Sequence, residues 1–176
     1  MIRPLELPFL FLLGVLALPA AGPTGDLPGP GAEAERAFKR FRAMAGEWEG
    51  RSTKGWTENL RIQVLAKGSA VLETSFDAHP GETMATLFAL DQGNLELRHY
   101  CVAGNQPHLR ATEFGDGGRR VTFTFVDGGN LSSRDRGHMD RAVYVFDDPD
   151  HVTARWTWFE KGQEQWLEEI HMTRKR

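Results

Sequence analysis

The run from His99 to His108, HYCVAGNQPH, gathers groups that can do chemistry: two histidines, a tyrosine, an asparagine, a glutamine and Cys101, the chain's single cysteine. A thiolate nucleophile needs a base within hydrogen-bond reach. His99 and Cys101 are two residues apart on one strand face, which puts their β-carbons about 7 Å apart. That spacing is loose for a Cys–His pair, and no third residue orients the histidine. The plainer reading of Cys101 is a buried free thiol packed with Leu95 and Leu97. Gly104, Asn105 and Pro107 are turn residues, and Pro107 keeps Gln106 out of the helical region. The stretch therefore reads as a strand end, a corner and the start of the next strand. Its polar groups, His99 and Tyr100 included, would form the rim of a pocket.

Glu73 lies in AVLETSF, where it shares a face with Val71 and Ser75 while Leu72, Thr74 and Phe76 take the other. If the Val71 face is inward, a carboxylate enters a dry interior and must be paired. Arg98, Arg110, Arg141 and Arg155 are the candidate partners. Trp156 and Trp158 share a face with Val152 and Ala154, where they serve as core or as pocket lining. The six histidines include His99, His108, His138, His151 and His171, but none has a zinc-site spacing. No metal site is expected.

These side chains need strands to hold them. Ala34, Ala37, Phe38, Phe41, Met44 and Ala45 recur at helical spacing, with Arg36, Lys39, Arg40 and Arg42 between them. This is one short amphipathic helix ending near Gly46, suited to packing on the core or closing the end of a barrel. Its basic face also allows a membrane-surface alternative. After Gly46 the period becomes two. Leu60, Ile62 and Val64 alternate with Arg61 and Gln63. ETMATLFAL is nearly all apolar, as in a strand covered on both sides or at a barrel end. LELRHYCV, HLRATEF, RRVTFTF, RAVYVF, HVTARWTWF and EQWLEEIHM follow, separated by turns such as DQGN, GDGG, DDPD and KG. Short strands with such turns predict an all-β antiparallel up-and-down meander. Closing about 8–10 strands into a barrel removes exposed edges and leaves room for one small ligand. The longest irregular piece, NLSSRDRGHMD, would fold over the mouth.

A chain of 176 residues with 40% hydrophobic and 26% charged residues suffices for one domain with a core. A net charge of -3 offers no basic face for nucleic acid. The C-terminal RKR reads as a solvated tail. Near the start, an apolar stretch from Leu7 to Ala21 follows one arginine and is too short for a comfortable span. Residues 1–22 read as a signal peptide or N-terminal anchor, 23–33 as a Pro/Gly-rich linker, and 34–176 as the barrel domain. The expected location is periplasmic or secreted, with membrane contact only if the segment is uncleaved. One cysteine allows no internal disulfide, so the core alone must hold the domain.

GEWEG, from Gly46 to Gly50, follows the helix and opens the first strand. Gly46 and Trp48 resemble the G-x-W opening of lipocalins and related calycin barrels, which implies a tryptophan packed across the closed end. SAVLET, the Met84–Thr86 strand, HYCVAGNQP, GHM and HVTARWTWFEKG together resemble a bacterial family of lipocalin-like domains without an assigned reaction. The likeness spans Phe38 to Arg176.

Three functional expectations follow. The first is a non-enzymatic exported barrel that binds a small apolar or amphipathic molecule, lined by Glu73, Met84, Phe88, Leu97, His99, Cys101, Phe123, Trp156 and Trp158. No cofactor is needed for it. The second is a haem barrel similar to nitrobindin, with His171 as the inward ligand, although Ile170 and Met172 occupy the opposite phase. The third is an enzyme using the interior as a reaction chamber, with His99, Tyr100 or Glu73 as acid or base. A filled barrel acting through its surface is the structural alternative.

Overall fold

The computed structural model describes residues 31–79 and 81–176; the expected signal segment and most of the linker lie outside them. Helix α1 (Ala32–Ala43) begins inside the expected linker. Ten strands follow: β1 (Gly46–Ser52), β2 (Thr57–Leu65), β3 (Ala70–His79), β4 (Glu82–Asp91), β5 (Asn94–Tyr100), β6 (Gln106–Gly115), β7 (Arg120–Gly129), β8 (His138–Asp148), β9 (His151–Glu160) and β10 (Gln163–Arg174). Each pairs antiparallel with the next, and β1 pairs with β10 to close the barrel. The tight turns have the expected chemistry. Gln92–Gly93 and Lys161–Gly162 both place two consecutive residues at positive φ, the geometry that suits the twist of a two-residue hairpin.

The helix stoppers one end. Ala34, Ala37, Phe38, Phe41 and Met44 are buried, while Ala45, expected on the same stripe, is exposed. Phe41 stacks on Phe88 at 4.3 Å between ring centroids and meets Tyr144 and Phe146 edge-on at 5.2 and 5.1 Å. The basic face of the helix docks on turns of the same chain: Arg40 donates to the Gly117 carbonyl and Arg42 to that of Gly68. Those contacts give this face a structural role that needs no membrane.

Trp48 is fully buried, as the G-x-W likeness implies, and its indole N–H donates to the Met44 carbonyl at 2.7 Å. Arg174 lies over the Trp48 ring, 4.4 Å from its centroid. Its guanidinium donates to the carbonyls of Ala43 and Ala45 at 2.9 and 2.8 Å and to Asp150. The expectation of a solvated RKR tail is therefore wrong at Arg174, which satisfies carbonyls left open where the helix ends. Arg174→Ala is expected to cost about 1–3 kcal/mol. Arg174→Lys should recover little of it, because a point charge cannot replace the planar fork. Urea unfolding of both variants measures this, and a loss below about half a kcal/mol would show that the helix end holds itself.

The structure decides two points of the strand reading. Val64 is exposed, because β1 pairs with β2 only as far as Ile62 and leaves the end of β2 without a neighbour on that side. β4 is not covered on both faces: Thr86 and Phe88 are buried inward, while Ala85, Leu87 and Ala89 are half-buried on the outer face.

Candidate functional site

The end opposite the helix is the mouth. The corner 101–105 lies there, with the Gly104 N–H donating to the Cys101 carbonyl and Gly104 at φ +78°. Asn105 donates through Nδ2 to the Gly137 carbonyl at 2.8 Å, and Asn130 through Nδ2 to that of Gly104. These bonds tie the corner to the 130–137 loop, the segment expected to fold over the mouth. Arg134 anchors the same loop, with its guanidinium over Phe125 and Phe159 and in contact with His138 and Asp140.

Below this rim the interior is hollow. A cavity of 360 Å³ is lined by Trp56, Ala78, Met84, Cys101, Val102, Ala103, Met139, Trp158, Glu168 and Ile170. Its deeper neighbour, 40 Å³, is lined by Glu58, Glu73, Ser75, Met84, Thr86, His99, Met139, Trp156, Glu168 and Ile170. Met84, Met139, Glu168 and Ile170 belong to both walls, so the two spaces form one cup with an apolar wall and a polar floor.

Neighbouring strands build the floor through register. Glu73 on β3 pairs with Thr86 on β4, and Thr86 pairs with His99 on β5. The three side chains therefore form a row on the inner face. His99 Nδ1 shares a 2.9 Å hydrogen bond with Thr86 Oγ1, and its ring tilts against Trp156. Burial lowers its pKa to about 4, which leaves the imidazole neutral at pH 7. Tyr144 from β8 donates its hydroxyl to Glu73 Oε1 at 3.2 Å. Burial and the neighbouring Glu58 charge push Glu73 up to about 8, against the opposing Tyr144 bond. Glu58 on β2 accepts from Ser75 Oγ. Its own burial, augmented by the Glu168 charge, raises it to about 7. Ser52 Oγ donates to Glu168 Oε1 at 2.7 Å. Gly50 admits this arrangement, since a β-carbon there would stand 2.9 Å from both Glu58 Cγ and Ile170 Cγ2.

Three buried side-chain atoms on this floor have no hydrogen-bond partner among the described residues: Glu58 Oε1, Glu73 Oε2 and His99 Nε2. Buried polar atoms are normally satisfied, so each such atom calls for an explanation. Among the described residues, no Lys or Arg lines either part of the cup.

No protein-family model matches this chain, and no curated protein is significantly similar to it. The closed ten-strand antiparallel barrel is compatible with a lipocalin-like fold.

Glu73, Met84, His99, Cys101, Trp156 and Trp158 all line the cup. Phe88, Leu97 and Phe123 line neither part of it. They are almost fully buried in the packed half, where Phe41 fills the space expected to be open. The expected arginine partner of Glu73 is replaced by Tyr144. Arg98, Arg110 and Arg155 instead pair with Asp127, Glu96 and Glu169, none of which lines the cup, and Arg141 is exposed. Tyr100 is also exposed and stands outside the floor. Cys101 lines the mouth, and burial raises its pKa, which disfavours a thiolate. His171 is largely exposed and pairs with Glu169, so it does not present itself inward as an iron ligand.

The sequence reading gives no site role to Glu58, Ser75, Thr86, Tyr144 or Glu168. For Glu58 and Glu168 a signal existed. Glu58 continues the inward phase of Leu60 and Ile62, and Glu168 that of Ile170 and Met172.

Proposed function

We propose that this chain is an exported barrel that binds one small amphipathic molecule, with its apolar body in the upper cup and its polar end on the floor. The supporting observation is the cup itself: an apolar wall above buried polar atoms that lack partners. A binding site of this kind is concave and mostly apolar, with a few polar groups that orient the ligand. A volume of 360 Å³ accommodates roughly a dozen non-hydrogen atoms, taking about 30 Å³ for each as for liquid water. The export part of the reading rests on the apolar N-terminal stretch. Membership of the lipocalin-like family suggested by the motif is consistent with this role.

Trp56 and Trp158 line the cup, so their fluorescence reports its occupancy. Titration with straight-chain alcohols should show affinity rising about three- to fourfold per methylene, as about 0.8 kcal/mol per buried group implies. The rise should stop once the chain fills the cup. Ala78→Phe, which places a ring in the cavity, should abolish the response while circular dichroism stays that of a barrel. A fluorescence signal unmoved by every alcohol would refute the binding role.

A further inference from the structure

We propose that the cup takes a primary alkylammonium ion, seating its –NH₃⁺ group among Glu58, Glu73 and His99 and releasing a proton as it binds. The inference rests on the binding role proposed above and names the class of ligand.

Size and valence carry it. The lower cavity measures 40 Å³, close to the roughly 30 Å³ that one water occupies in the liquid. An ammonium head fits such a space. The unpartnered atoms on this floor, Glu58 Oε1, Glu73 Oε2 and His99 Nε2, are three. A primary ammonium has three N–H donors and no acceptor. His99 Nε2 accepts in the tautomer whose Nδ1–H donates to Thr86. His99 is itself only 6% exposed, and its free nitrogen lies on the cavity wall. Above the head, the walls of Met84, Met139 and Ile170 continue into the upper cup, where an alkyl tail belongs.

Charge points the same way. The groups facing the floor are Glu58 from β2, Glu73 from β3, His99 from β5, Tyr144 from β8 and Glu168 from β10, with Cys101 higher on the wall. Thr86 on β4 and Trp156 on β9 add no charge. With no Lys or Arg among these described residues, the floor is unfavourable to an anionic ligand, and Glu58 and Glu73 have no counter-charge there. An arriving ammonium supplies that counter-charge. A floor carboxyl then gives its proton to solvent, so the cation enters and a proton leaves, and the charge of the complex equals that of the empty protein.

The test compares three probes of equal length by fluorescence and calorimetry: octylammonium, 1-octanol and octanoate. An alkylammonium, like the lysine side chain, keeps its charge to about pH 10. At pH 8 octylammonium should bind at least about tenfold tighter than octanol, as expected for hydrogen bonds to charged groups. Its affinity should climb about tenfold between pH 6 and pH 8, with proton release seen as a dependence on buffer ionisation heat. Octanol should show neither effect. Glu58→Gln and Glu73→Gln, each a shape match for the protonated acid, should each weaken octylammonium about tenfold and flatten its pH dependence. Octanol, whose hydroxyl also reaches the floor, should lose distinctly less affinity than octylammonium in both. Octanol or octanoate binding as tightly as octylammonium would overturn the ammonium assignment and leave the binding role standing. Failure of all three probes would overturn both.

Discussion

Phe41→Ala is expected to lower the free energy of unfolding by about 3–5 kcal/mol, the range for emptying a buried aromatic site. Phe41 is 1% exposed and meets Phe88, Phe123, Tyr144 and Phe146, which come from three different strands. The hole cannot close easily, because a hydrogen-bonded ring of strands surrounds it and has no free edge to move inward. Truncation also removes the main contact by which the helix stoppers the barrel, so α1 should lose protection in hydrogen exchange before the strands do. Urea unfolding gives the first number and exchange the second. A loss below about 1 kcal/mol would mean that the helix is an accessory rather than part of the core. The consequence reaches the site, since Tyr144 touches Phe41 with its ring and Glu73 with its hydroxyl.

Glu73→Gln should stabilise the protein, and only at high pH. In the unfolded chain this carboxyl ionises near 4.5, whereas in the folded protein it keeps its proton up to about 8. Between those values the native state binds more protons than the unfolded one, so its stability falls as pH rises. Below the unfolded value the group carries no penalty. Above about pH 8 the penalty is complete, on the order of 4 kcal/mol for a fully buried group. Glu58, raised to about 7, adds a slope of the same sign that ends earlier. Glutamine has the shape of the protonated acid and can still accept the Tyr144 hydroxyl bond. The variant should therefore match the parent near pH 4.5 and exceed it by roughly 2–4 kcal/mol at pH 8. Urea unfolding at the two pH values decides the matter. Equal destabilisation at both would show that the fold needs the carboxylate itself. The gain in stability and the predicted loss of ammonium affinity in the same variant express one fact: a binding floor is kept at the expense of the fold.

Much of this architecture is legible in the residues alone. A period of two with Gly-containing turns yields strands, and antiparallel pairing of neighbours follows from the short connections. The alternation in AVLETSF puts Glu73 on one face with Val71, and the stripe through Phe38 and Phe41 marks a helix that must cover something apolar. Local chemistry determines each of these, so no distant residue is needed to read them. Which half of the barrel is full could not be read in the same way. Phe88 and Phe123 have the same alternation as Met84 and Trp156, and only the depth reached by the Phe41 ring makes the first two core and the second two cavity wall. Arg174 looks like part of a tail until the closing β1–β10 pair brings it over Trp48. The acid floor is the clearest case. Glu58, Glu73 and Glu168 are far apart in sequence and each is ordinary by itself. Closure of the barrel turns three separate alternations inward onto one cavity, and that long-range geometry, not any local preference, makes a site of them.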